Sequence, residues 1–176
     1  FTAFENPVLG MIVGAVLTAV IQSSSASVGI LQAMCATGSV TVGAALPVIM
    51  GQNIGTCVTA LLSGVGANRN AKRASLVHLY FNLIGTFVFM AVFYVMNHFV
   101  QFAFLSDTAN GAVIAVIHSL FNIASTIVLL PASELLVKLA YFTIPQSEDE
   151  TLEKSGKVLD ERFLEKPAFA VAQCKN

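Results

Sequence analysis

PVLGMIVGAVLTAVIQSSSASVGILQAMCAT, residues 7–37, decides how this chain is read. Two apolar arms, 7–21 and 27–37, flank the polar knot Gln22-Ser23-Ser24-Ser25-Ala26. As helices rising 1.5 Å per residue, the arms reach only about 22 and 16 Å, short of the roughly 30 Å hydrocarbon core of a bilayer. Half-length apolar helices meeting at a polar tip predict a re-entrant hairpin over 7–37 that enters and leaves on one side. Such a tip must satisfy its backbone without water, which favours small hydroxyl and amide side chains there.

Working outward, the charges support the bilayer reading. Of the 176 residues 56% are hydrophobic and 11% charged, and mean hydropathy is +0.77. Twelve of the nineteen charges lie in residues 145–176. Residues 6–68, 74–106 and 108–133 carry none. Each run exceeds the roughly 20 residues one helix needs to cross. A soluble enzyme, a disulfide scaffold and a nucleic-acid binder are excluded, the last because net charge is −1 with no basic patch. Cys35 and Cys57 read as small apolar packing residues. The chain opens at Phe1, with no positively charged signal-peptide region, and reads as a piece of a longer membrane protein.

Residues 43–66 are long enough to cross, but Pro47, Gly51 and Gly55 interrupt them. The expectation is a broken helix, two halves around an unwound centre at Gly51-Gln52-Asn53-Ile54-Gly55-Thr56. Spanning helices are expected over 74–98 and 111–130, and an interfacial helix over 132–140, where Glu134 and Lys138 sit at i,i+4. Residues 1–144 thus form a transmembrane repeat and 145–176 a polar linker or tail. Arg69, Lys72 and Arg73 form the basic cluster beside a membrane segment, which puts that loop and the tail in the cytoplasm. The 101–110 loop and the mouth of the hairpin then lie outside.

Three constellations carry chemistry. At the tip, the second arm turns its N-terminus and free N–H groups toward whatever Gln22, Ser23, Ser24 and Ser25 hold, and serine hydroxyls suit both an oxyanion and a small hard cation. The plainer alternative is that the serines cap a helix or pack. At the expected break, Asn53, Thr56 and Thr59 offer oxygens to an ion, or else re-satisfy a kinked backbone. Third is an internal echo, His78-x-x-Phe81-Asn82 against His118-x-x-Phe121-Asn122, offset by forty residues. In each, the three side chains share one helix face, and hydrogen bonding between helices explains them more simply than a proton relay does. An anion bound in 6–68 must be balanced by helix dipoles, N–H and O–H donors and co-bound cations, which gives coupling between anion and cation a physical basis.

QSSSA followed by GQNIGTCVTALL, with VHLYFNLIGT and HSLFN, resembles the sodium-dependent phosphate cotransporter family, the bacterial relatives of the type II transporters, over residues 7–145. The resemblance implies an all-α membrane protein built from two inverted-topology repeats, with sodium and inorganic phosphate bound where the repeats meet. Carried onto this chain, Gln22, Ser23, Ser24 and Ser25 would bind phosphate. Ser24, Ser25, Asn53, Thr56 and Thr59 would hold sodium, the coupling ion, and no cofactor is implied. One such unit occurs here, most like the second repeat, so the partner would be the missing first repeat or a second copy. The closing LDERFLEKPAFAVAQ resembles the linker before a cytoplasmic PhoU-like domain. The reading is therefore a multi-pass protein of the cell (inner or plasma) membrane, half of a sodium-coupled phosphate symporter working by alternating access. The alternatives are another small oxyanion, or a phosphate-sensing membrane subunit that does not transport. An enzyme is disfavoured, because the membrane part has no nucleophile–base pair or paired carboxylates.

Overall fold

A computed structural model describes residues 6–146, all helix and connecting turns apart from one isolated antiparallel bridge. Six α-helices follow in order: α1 (Pro7–Ile21), α2 (Ser24–Cys35), α3 (Val42–Gly64), α4 (Arg69–Val100), α5 (Gly111–Leu129) and α6 (Ser133–Thr143). A single 3-10 turn, Ala103–Ser106, sits between α4 and α5. Among the described residues, α3, α4 and α5 are long and apolar enough to cross a membrane. The expected tail falls outside the described residues from residue 147 onward.

Both short arms form as the sequence dictates. Asn6 caps α1, its Oδ1 accepting from the N–H of Val8 at 3.0 Å and of Leu9 at 3.3 Å, and Pro7 occupies the first turn, where its missing N–H costs nothing. Gln22 ends α1 in the left-handed region, at φ +56°. Ser23 then caps α2, its Oγ accepting from the Ala26 N–H at 3.3 Å. Two residues turn the chain, so the first serines do cap a helix as well as face the tip.

The expected break in 43–66 does not occur: α3 runs unbroken for 23 residues with Pro47 inside it. Pro47 removes only its own bond to the carbonyl four residues back. The glycines are kept helical by a neighbour. A β-carbon at Gly51 would fall on the carbonyl of Met11, one at Gly14 on the carbonyl of Val48, and one at Gly55 within 2.7 Å of Thr18 Cβ. Gly10 meets the Pro47 ring at 3.2 Å in the same way. Small residues spaced by four on both helices let the two backbones touch. The order of these contacts makes α1 and α3 parallel.

At the end of the bundle where α3 begins, Val42 N–H donates to the Asp107 carbonyl and Ala109 N–H to the Val40 carbonyl, both at 2.9 Å. Gln32, late in α2, donates to the carbonyl of Gly111, the first residue of α5, at 2.9 Å. The start of α3, the end of α2 and the α4–α5 loop therefore lie together. Beneath them Leu31, Val42, Ala45, Ile49 and Ile114 form one apolar core. Deeper, Phe121 packs edge-on to Phe89 at 5.2 Å, joining α5 to α4. The helix expected over 132–140 is α6, which docks on α4. There the Arg73 guanidinium lies 4.3 Å from the centre of the Tyr141 ring, and the Tyr80 and Thr143 hydroxyls are 2.6 Å apart. Arg73, expected in an exposed basic loop, is buried within α4, which starts at Arg69 rather than near 74.

Candidate functional site

Ser24, Asn53, Thr56, His78, Phe81, Asn82, His118 and Asn122 line one open cavity of about 380 Å³. Four helices contribute: Ser24 from the first turn of α2, Asn53 and Thr56 from the middle of α3, and the two echo motifs from α4 and α5. All three polar constellations of the sequence converge here. Asn53 and His118–Asn122 sit near the midpoints of their helices. No lining residue carries a fixed charge.

Local chemistry explains how each side chain is held. Asn53 Nδ2 donates to the Ile49 carbonyl at 3.2 Å, and Thr56 Oγ1 donates to the Asn53 carbonyl at 2.6 Å. On α4, Asn82 Nδ2 donates to the His78 carbonyl at 2.9 Å, and on α5, Asn122 Nδ2 donates to the His118 carbonyl at 2.7 Å. The echo asparagines thus do not bond helix to helix, as their spacing suggested, although the His78 carbonyl also accepts from Cys57 Sγ of α3 at 3.6 Å. Each Asn bonds within its own helix, to the carbonyl four residues back. Gln52, wholly buried, reaches from α3 to donate to the Ser27 carbonyl of α2 at 2.9 Å. That strut fixes the first turns of α2 beside Asn53.

The remaining sequence-predicted residues are placed as follows. Gln22 and Ser25 are exposed at the turn, and Ser23 is the cap, its Oγ 3.3 Å from that of Ser25. These three border the cleft in sequence but do not line it; Ser24 does. Thr59 is exposed further along α3, its carbonyl accepting from Ser63 Oγ at 2.9 Å, and does not reach the cleft. His78, Asn82, His118 and Asn122 line the cleft without having been assigned to it from sequence. The shared offset of forty residues was the signal; what it lacked was any indication that the two faces meet around Asn53.

Residues 1–108 match the Na+/Pi-cotransporter family. The chain belongs to that family. As a Na+/Pi-cotransporter family member with three apolar helices of crossing length, it is a membrane protein. It is 33% identical to YqeW, an uncharacterised protein of Bacillus subtilis, over 135 residues, which is 77% of this chain and 43% of that one. With human sodium-dependent phosphate transport protein 2B it shares 38% over 103 residues, 55% of this chain and 15% of the relative. With the putative inorganic phosphate export protein YjbB of Salmonella typhimurium it shares 25% over 164 residues, 93% and 30% respectively. The chain therefore spans less than half the length of these Na+/Pi-cotransporter relatives. No solved structure matches it.

Proposed function

We infer that the chain is one half of a sodium-coupled transporter of inorganic phosphate, working by alternating access around the cleft. The observation that carries this reading is the convergence of Ser24, Asn53 and Thr56 in one cavity without a fixed charge, midway along α3. Phosphate there meets the N-terminus of α2 with Ser24, while sodium meets the oxygens of Ser24, Asn53 and Thr56, with Gln22, Ser23, Ser25 and Thr59 acting from the margins. Because no fixed positive charge is present, the cation is itself part of the anion's site, and the two ions bind together. This is the physical content of coupling. The names of the relatives support phosphate as the anion over sulfate or a carboxylate, and support transport over sensing alone.

Three features support a re-entrant course for α1 and α2. Both are shorter than the bilayer core, α1 runs parallel to α3, and the end of α2 lies beside the start of α3 and the α4–α5 loop. A hairpin that returns to its starting side satisfies all three. A second unit of opposite topology completes the site, either another segment of the same polypeptide or another copy. The positive cluster at Arg69–Arg73 puts that end of α4 in the cytoplasm.

Uptake of labelled phosphate into proteoliposomes tests the reading. Flux should fall by at least about tenfold when sodium is replaced by choline, the equivalent of losing about 1.4 kcal/mol of coupled binding. Ser24→Ala and Asn53→Ala should each depress sodium-dependent flux comparably. Flux indifferent to sodium, or to both substitutions, would refute it. The kinship to YjbB favours a second reading in which net flux is outward; loading phosphate inside the vesicles and imposing opposite sodium gradients separates the two.

A further inference from the structure

We propose that Asn53, Asn82 and Asn122 form a cation site at the junction of α3, α4 and α5, each presenting its side-chain oxygen to one small, hard, monovalent ion. This deepens the transport reading above and rests on it for the identity of the ion as sodium.

The three asparagines come from three helices and line the same cavity. They share one tether: each Nδ2 donates to the carbonyl four residues back, at Ile49, His78 and His118. A carboxamide has a donor end and an acceptor end. Fixing the nitrogen on the helix backbone leaves Oδ1 as the end to be used, and no described residue donates to any of the three oxygens. Thr56 adds to the pattern, because its hydroxyl proton is committed to the Asn53 carbonyl and only lone pairs remain. Four side-chain oxygens on a charge-free wall are therefore acceptors without donors. That set of oxygens fits a hard cation, whose preferred ligands are amide, hydroxyl and carbonyl oxygens, with the His78 and His118 imidazoles alongside it in the cleft. Neutral oxygens cannot offset the desolvation of a divalent ion as carboxylates do, which favours single charge. The anion then belongs on the opposite wall, at Ser24 and the start of α2. The echo acquires a purpose: Asn four residues after His is the spacing that lets an amide nitrogen reach back along its own helix.

Equilibrium binding of radioactive sodium to the purified full chain tests this directly. Asn82→Ala and Asn122→Ala should each raise half-saturating sodium about tenfold. Asn122→Asp should restore it to within about twofold, because a carboxylate supplies oxygen but cannot donate to the His118 carbonyl. A purely structural tether predicts the reverse, with Asp as defective as Ala, and that result would overturn the proposal. So would alanine variants that stay monodisperse and bind sodium like the parent, or a parent that binds no sodium. If the alanine variants do not fold, the Asp variant decides alone, by binding sodium or failing to. Parent chain that binds sodium at these residues while phosphate flux ignores sodium would leave the site standing and remove the coupled-transport reading instead.

Discussion

A single methyl group at position 51 has nowhere to go. Its β-carbon would fall on the Met11 carbonyl of the neighbouring helix, whereas at Gly29, on α2, the same atom meets nothing within 4 Å. Gly51→Ala should therefore destabilise the protein by about 1–3 kcal/mol, the usual cost of overpacking a close contact. Gly29→Ala should be neutral or slightly stabilising through helix propensity. Thermal unfolding in detergent compares the two. Gln52 makes the second residue-scale case. Replacing it by Leu removes the bond to the Ser27 carbonyl and should cost about 1–2 kcal/mol. Sodium-dependent flux should drop with it, as α2 loses its register against Asn53. Residue types and spacing singled out Ser24, Asn53 and Thr56 as candidates, and these three line the cleft. The same letters misled at Gly51 and Gly55. A glycine in a membrane helix signals either an unwound turn or a close neighbour, and local sequence does not distinguish them.

At the scale of elements, what decided α3 was α1. Gly10 and Gly14 face the row formed by Pro47, Gly51 and Gly55, and that contact holds helical a segment whose own propensities favour a break. Polar residues set the helix starts, Asn6, Ser23, Thr41, Asn68 and Asn110 each capping the helix that follows, which is why α2 and α4 begin at Ser24 and Arg69, earlier than the apolar runs alone suggested. The docking of α6 was not legible, because Arg73 and Tyr141 are 68 positions apart and only the fold brings them to 4.3 Å. Arg73→Met keeps the apolar stem and loses the cation over the ring. It should weaken α6 docking by about 1–2 kcal/mol, the guanidinium being buried and the ring half-buried. Hydrogen exchange should then quicken across Ser133–Thr143 and stay unchanged in α1 and α3.

For the whole molecule, the question is which ends share a side of the membrane. The bonds between Val40–Val42 and Asp107–Ala109 tie the exit of α2 to the α4–α5 loop, while Gly66 lies at the far end of α3 and α4. Cysteines introduced at Ser39 and Ser106 should thus react with an impermeant maleimide from the same side, and one at Gly66 from the other. The native thiols give little background, Cys35 being 2% exposed and Cys57 fully buried, although Cys174 should be replaced first. Labelling of Ser39 and Ser106 from opposite faces would rule out the re-entrant course. Val8, Ile12, Val16 and Val20 form an exposed apolar stripe on α1, on the face opposite its glycines.

The touching backbones of α1 and α3 also have a mechanical consequence. Two helices whose glycines are seated on each other's carbonyls behave as meshed gear teeth: sliding by one residue drives a side chain into a peptide group. They must travel as one stiff beam, carrying Asn53 and Thr56 on α3 and, through the Gln52 strut to the Ser27 carbonyl, Ser24 at the start of α2. On the proposed transport reading, opening of the cleft then falls to α4 and α5, which line its other wall.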